Sequence, residues 1–293
     1  MIESNATNKI VKIVGDIYFV LNGEKIVEAS CLKTIKNNRL YVGDNVELKE
    51  NEYSTNKYII TKVLPRKNII PRPTIANIDK LLILVASVPK PDFLLIDKLI
   101  IYCYENSIEP VIVINKCDIS DKIFIEDVCK QYYFLKIFNI SAKNKVGIDN
   151  LTQYISNCIC AVCGQSAVGK STLINALIPF ANMQTQNVSE KILRGKHTTR
   201  VNEIFVYGHL MIADTPGFSN LDLDVDFKEL YKFYPEFEPY LCNCKYLDCS
   251  HIKEGNDCGI VNALHESKIN KNRYFRYVEL YKKQKEIWEK KYD

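Results

Sequence analysis

The nine residues Gly164-Gln165-Ser166-Ala167-Val168-Gly169-Lys170-Ser171-Thr172 constrain this chain more than any others. They fit the pattern G-x-x-x-x-G-K-[ST]. Before them, Cys158-Ile159-Cys160-Ala161-Val162-Cys163 is short and wholly apolar, as a strand buried on both faces of a parallel sheet would be. After them, Leu173 to Ile178 reads as a helix halted by Pro179. Strand, glycine loop and helix N-terminus, in that order, turn backbone N–H groups toward a phosphate, and the helix dipole adds positive potential. Lys170 would reach the β- and γ-phosphates, and the Ser171 hydroxyl would bind Mg²⁺. The loop specifies a nucleoside triphosphate but not its base.

The base is specified upstream. Leu81–Ala86 and Val111–Ile114 read as buried parallel strands joined by a helix over Phe93–Tyr104, which makes the centre of the chain an α/β sheet. The second strand runs into Asn115-Lys116-Cys117-Asp118, an N-K-x-D sequence. A carboxylate at Asp118 can accept from both N1–H and the exocyclic amine of guanine, a donor pair that adenine lacks. Asn115 would brace the loop, and the Lys116 stem would lie along the base. Ser141-Ala142-Lys143 fits the short loop that offers a backbone N–H to guanine O6. Each short motif is weak alone, but beside a P-loop in one α/β domain they point to guanine.

Downstream, Leu210–Ala213 leads into Asp214-Thr215-Pro216-Gly217, a D-x-P-G switch in which Asp214 would hold Mg²⁺ through a water and the Gly217 N–H would meet the γ-phosphate. Gly195-Lys196-His197-Thr198-Thr199-Arg200 lies between loop and switch. Thr198 or Thr199 is the natural second Mg²⁺ ligand, and the sequence does not choose between them. The usual GTPase order is P-loop, switch threonine, D-x-P-G, N-K-x-D, S-A-K. Here the last two come first, so the domain is circularly permuted, which closely spaced termini tolerate.

The flanks differ in pattern. Lys9–Leu21, Glu24–Cys31, Leu40–Glu50 and Tyr58–Leu64 are β-branched and aromatic runs, with turns at Asn22-Gly23 and Gly43-Asp44. They predict a small antiparallel barrel of the OB-fold type over residues 1–70, with prolines 65, 71 and 73 marking its end. Tyr18, Phe19 and Tyr41 are candidate RNA-stacking platforms, although core packing is the simpler role for each. The GTPase domain is expected over 71–225 and a mainly helical zinc-binding domain over 226–293. In the last of these, Asp226–Tyr234 and Asn270–Asp293 read as helices. Between them Cys244, Cys249, His251 and Cys258 form a Cys₃His set suited to one structural, tetrahedral Zn²⁺ per chain, with Cys242 a spare thiol that could compete with Cys244. Cys160 and Cys163 lie in an apolar strand and are read as packing residues.

Composition narrows the class. The 47% hydrophobic and 25% charged residues are those of a soluble globular protein, and the N-terminus shows no signal peptide. No apolar run approaches the ~18 residues of a membrane span. Eleven cysteines without an export signal predict a reducing, cytoplasmic setting without disulfides. A net charge of +4 permits a nucleic-acid partner without requiring one. The segment 270–293 carries 8 Lys and Arg against 4 acids, a plausible RNA-contact helix.

Together these motifs resemble the ribosome small-subunit-dependent GTPase A family (RsgA, also called YjeQ) over nearly the whole chain. Ala76-Asn77-Ile78-Asp79, Asn115–Asp118, Gly164–Thr172, Gly195–Thr199, Asp214–Phe218, the Cys244/Cys249/His251/Cys258 set and Arg273-Tyr274-x-x-Tyr277 carry the likeness. Ala167 departs from it, standing where many relatives have Gly. The resemblance implies an OB-fold, a permuted GTPase domain and a zinc domain. It also implies a GTP hydrolase of late small-subunit maturation, binding the small ribosomal subunit and its rRNA and expected to be a monomer. Hydrolysis would be stimulated by the subunit, and GDP would drive release. Phe218 stands where Ras-like enzymes place a water-orienting glutamine, so intrinsic hydrolysis should be slow. His197 matches a histidine of the family's first switch and is the candidate catalytic group.

Overall fold

The computed structural model describes residues 8–36, 39–51, 57–71, 74–179, 181, 203–214, 223–252 and 257–292. Strands β1 (Asn8–Val14), β2 (Ile17–Asn22), β3 (Lys25–Cys31), β4 (Asn45–Glu50) and β5 (Tyr58–Val63) close a barrel in the order β1-β2-β3-β5-β4, with a one-turn helix α1 (Lys33–Lys36) after β3. The parallel β3–β5 pair among otherwise antiparallel neighbours gives the OB-fold topology. The expected single strand over Lys9–Leu21 is two. The chain reverses at Gly15 (φ +59°), whose conformation costs a glycine little, while the apolar pattern runs on through both strands and hides the turn. Ile10, Val20, Ala29, Val46 and Ile60 fill the barrel at 1% exposure or less. Tyr18 joins them, so packing is its role, and Phe19 packs against the core of the next domain. The ring of Tyr41 has the Arg66 guanidinium 4.6 Å from its centroid, and Arg66 in turn pairs with the buried Asp44.

A hairpin of β6 (Ile69–Pro71) and β7 (Thr74–Ala76) joins the barrel to the central domain. Gly43 fits there because a Cβ would lie 2.0 Å from the Ala76 carbonyl oxygen, and its φ of +92° suits only glycine. The Ala76-Asn77-Ile78-Asp79 segment makes the joint. Asn77 Nδ2 donates to the Gly43 carbonyl, Asn68 brackets Ile78 from both sides of its peptide, and Asp79 Oδ2 accepts from the Ile159 N–H.

The central sheet has the order β10-β9-β8-β11-β13-β12, built from β8 (Lys80–Val85), β9 (Glu109–Ile114), β10 (Lys136–Asn139), β11 (Ile159–Gly164), β12 (Ile204–Tyr207) and β13 (Leu210–Asp214). All neighbours are parallel except β12–β13. Along β8, Leu81, Ile83 and Val85 face one core while Leu82 and Leu84 face the other, and β11 divides in the same way. That double burial is why these strands read as unbroken apolar runs. Helices α2 (Phe93–Glu105) and α3 (Lys122–Gln131) cover the first face. Helices α4 (Ile148–Ile155) and α5 (Lys170–Leu177) cover the second. Because β8 leads toward β9 on one side and β11 lies on its other side, the order reverses between β8 and β11, the position where such sheets bind ligands beyond their strand ends.

The C-terminal part is helical, as expected, but its first segment is not an α-helix. Leu230–Phe233 and Pro235–Asn243 are 3₁₀ turns, since Pro235 disfavours helical geometry at Tyr234 and withholds an N–H. Helices α6 (Gly259–His265) and α7 (Lys271–Tyr292) complete it. Tyr274, Tyr277 and Tyr281 of α7 are core residues, whereas Trp288 is 40% exposed. None of the described helices is long and apolar enough to cross a membrane.

Candidate functional site: a guanine-nucleotide cleft and a four-donor metal cage

The loops after β9, β10 and β11 converge on Asn115, which is 1% exposed. Its Nδ2 donates to the Val168 carbonyl at 2.9 Å, and its Oδ1 accepts from the Ala142 N–H at 3.0 Å. One amide thus ties the P-loop and the Ser141-Ala142-Lys143 loop to its own. Gly169 lets the P-loop come this close, because a Cβ there would sit 2.3 Å from Asn115 Nδ2. Lys116, at φ +61°, lays its ammonium across the same junction and donates to the carbonyls of Val88 (2.8 Å) and Ala167 (2.9 Å).

Asp118 is exposed at the mouth of the cleft. A hydrogen bond from Ser141, with smaller help from Lys143 and Asn144, holds its carboxyl below the usual range and keeps it an anionic acceptor at neutral pH. Ser141 is 1% exposed and Ala142 4%, while Lys143 is open to solvent. In the P-loop, Gly164 to Gly169 leave β11 and Lys170, Ser171 and Thr172 begin α5. Lys170 Nζ donates to the carbonyls of Gly164 and Gln165, both at 2.8 Å, so it sits over the loop where phosphate oxygens would replace those partners. Ser166 and Ala167 are exposed, and Val168 anchors the loop in the core. Ala167 takes φ +63°, a left-handed conformation that glycine adopts freely and that costs an alanine about 1–2 kcal/mol. The loop keeps its open shape despite the added methyl.

Asp214 ends β13 in register with Val162 of β11, which brings its backbone alongside the strand that feeds the P-loop. His197, Thr198, Thr199, Gly217 and Phe218 lie outside the described residues.

The C-terminal cage gathers Cys244, Cys249, His251 and Cys258, whose donor atoms all lie within 4.8 Å of one another. The two thiol sulfurs of Cys244 and Cys258 are 3.5 and 3.6 Å from His251 Nδ1. Zinc bonds of about 2.3 Å to sulfur and 2.0 Å to nitrogen, at tetrahedral angles, would put such atoms roughly 3.5 Å apart. The four donors therefore fit a closed tetrahedral ion. Burial pushes His251 down to about 4, so its ring is neutral as a ligand must be. Burial, and the neighbouring Cys249 and Cys244, push the Cys258 thiol up to about 12, a cost that a bound dication would reverse. Tyr274 and Tyr277 hydroxyls donate to the carbonyls of His251 and Ser250, tying the cage to α7. Cys160 and Cys163 are buried packing residues, as expected.

The sequence did not disclose one further group. Asp97 of α2 is fully buried and accepts from Arg273 (2.6 Å) and Arg276 (2.5 Å) of α7 and from the Tyr132 hydroxyl (2.7 Å). Arg273 also donates to Glu236 at 2.6 Å. The lone acid within Phe93-Leu94-Leu95-Ile96-Asp97-Lys98-Leu99-Ile100-Ile101 was its available signal.

Comparison with known proteins gives the same overall architecture. The family described as RsgA GTPase matches residues 63–224. A Small ribosomal subunit biogenesis GTPase RsgA from Phytoplasma australiense is 36% identical over 96% of this chain and 98% of its own length. One of the same name from Onion yellows phytoplasma is 40% identical over 78% of this chain and 77% of its own. Among solved structures, YjeQ from Thermotoga maritima superposes with a TM-score of 0.81 at 29% identity, covering 95% of this chain and 98% of that one. YloQ, described as a circularly permuted GTPase, gives 0.79 at 25% identity over 96% and 95% of the two chains.

The cage yields a direct expectation. Freshly purified protein should carry one zinc per chain by elemental analysis, and Cys249→Ser should lose the metal and melt earlier, because a closed site contributes folding free energy outright. Metal content well below one, or a Cys249→Ser variant that melts like the parent, would contradict a structural ion.

Proposed function

The chain belongs to the RsgA GTPase family, and on that premise we propose that it hydrolyses GTP on the small ribosomal subunit during late maturation and is released as GDP forms. The observation that carries this reading is the Asn115 junction, which holds three guanine-nucleotide loops in one cleft. A barrel and a metal-cage domain flank that cleft. The name those relatives share supplies the subunit.

In this reading Asp118 reads the guanine edge, and the Ala142 N–H, between Ser141 and Lys143, meets O6. Gly164 to Thr172 wrap the phosphates, with Lys170 on the β- and γ-oxygens and the Gly217 N–H on the γ-phosphate. Ser171, Asp214 and either Thr198 or Thr199 would hold Mg²⁺, which would supply positive charge against the phosphates. Hydrolysis needs a water in line with the γ-phosphate. The phenyl ring of Phe218 cannot orient it by hydrogen bonding, so His197 of the first switch supplies the polar group when the protein is on the subunit. Loss of the γ-phosphate removes what holds the switches closed, and the grip on the subunit loosens.

The zinc cage is structural: its four protein donors leave no open position. The three units are taken as residues 1–70, 71–225 and 226–293. The barrel and the exposed lysines of α7 contact rRNA phosphates, which makes docking weaken steeply with salt. The protein acts as a cytoplasmic monomer.

Two experiments test this. Asp118→Asn should lose GTP and gain xanthosine triphosphate, since it reverses the donor–acceptor pattern at the base edge; a variant still preferring GTP would show that Asp118 does not read the base. GTP turnover should be slow for the protein alone and should rise with purified small subunits but not with large subunits or bulk RNA. Equal rates in every mixture would sink the proposal. His197→Ala should bind GTP normally yet lose the stimulation, and unchanged stimulation would remove that histidine from the mechanism.

A further inference from the structure

Helix α2 belongs to two cores at once. Ile96, Leu99, Ile100 and Cys103 pack on the central sheet, whereas Ile101, with Leu94, packs among the residues of the C-terminal domain. The residues 94, 97 and 101 follow the spacing of a single helical face, and that face carries Asp97. Asp97 is held by both arginines of α7, Arg273 through Oδ1 and Arg276 through Oδ2. Arg276 also donates to Gln131 of α3 at 2.9 Å. Two guanidinium groups face the two carboxylates of Asp97 and Glu236, so the charges balance while largely out of water.

At its other end α2 meets the P-loop. Asp92 caps the helix by accepting from the Leu95 N–H, and its own N–H donates to Gln165 Oε1 at 3.2 Å. Pro91, Asp92, Leu95 and Ile96 face Gly164, Gln165 and Val168 at this joint. Five residues, about 7.5 Å of helix rise, separate Asp92 from Asp97.

We propose that Asp97 is a positioning residue for the nucleotide site: gripped by Arg273 and Arg276, it sets where α2 lies, and α2 sets Gln165 and the P-loop backbone around it. The warrant is the cost of separating the partners. A shift of α7 that left Asp97 behind would strand a buried carboxylate, so α7 and α2 move as one body. A load placed on the C-terminal domain is then felt at the phosphates. By reciprocity, nucleotide occupancy biases α7 by the same factor. The inference rests on the P-loop being the nucleotide site. GDP binding by the parent protein reports on that reading, and the difference between parent and variants reports on this one.

The test is titration of the full-length protein with fluorescently labelled GDP, alongside thermal melting. Arg276→Gln should weaken GDP binding about 5-fold or more. Gln165→Ala should weaken it too, and the double variant should bind no worse than Gln165→Ala alone, because the route from Arg276 is already cut. Glu236→Gln, which loosens Arg273 from the side of the 3₁₀ segment, should lower the melting temperature and leave GDP affinity at the parent value. Should Arg276→Gln fail to fold, Arg276→Lys keeps the charge but gives up the forked contacts to Asp97 and Gln131, and the same results are expected of it. Parental GDP affinity in the folded Arg276 variant would overturn the proposal, as would effects that simply multiply in the double variant. A Glu236→Gln loss of affinity as large as that of Arg276→Gln would do so too, since it would mark general destabilisation.

Discussion

The nucleotide cleft depends on the side-chain amide of Asn115. It sits at the end of a buried strand and uses its donor on one loop and its acceptor on another. Both groups are out of water, so each bond lost would leave a buried polar atom unsatisfied at a cost of ~1–3 kcal/mol. Gly169 is glycine because Asn115 occupies the space a side chain would need. In this permuted chain the loops at Asn115–Asp118 and Ser141–Lys143 precede the P-loop, yet the parallel sheet brings all of them to one edge.

From that edge two joints lead outward. Asn77, Asn68 and Asp79 fasten the barrel to the first and fourth strands of the central domain by paired hydrogen bonds, and Lys12 reaches Glu203 at the far edge of the sheet. The C-terminal domain is joined through charge as well as apolar packing, by the Asp97–Arg273–Glu236 group. Breaking such a buried set by removing one partner costs about 3–5 kcal/mol, far more than an exposed ion pair.

Much of this was legible in the sequence for a physical reason. Gly164–Thr172, Asn115–Asp118 and Ser141–Lys143 are visible as words because each is a short contiguous run of fixed residue types. The metal cage is visible because thiolates and imidazole are rarely gathered without cause. The turn at Gly15 was hidden because only Gly15 and Asp16 separate the apolar runs on either side, and the 3₁₀ character of Leu230–Phe233 because its apolar spacing imitates an α-helix. Asp97 was visible only as a lone acid in an apolar helix: its arginine partners lie 176 and 179 residues away, and nothing local marks the pairing.

The central claim is that the nucleotide held by this cleft governs attachment to the small subunit. Sedimentation with purified small subunits tests it most directly, using the same protein loaded with a non-hydrolysable GTP analogue or with GDP. The analogue-bound protein should pellet with the subunits, and the GDP-bound protein should stay in the supernatant. Equal partitioning of the two forms would contradict it.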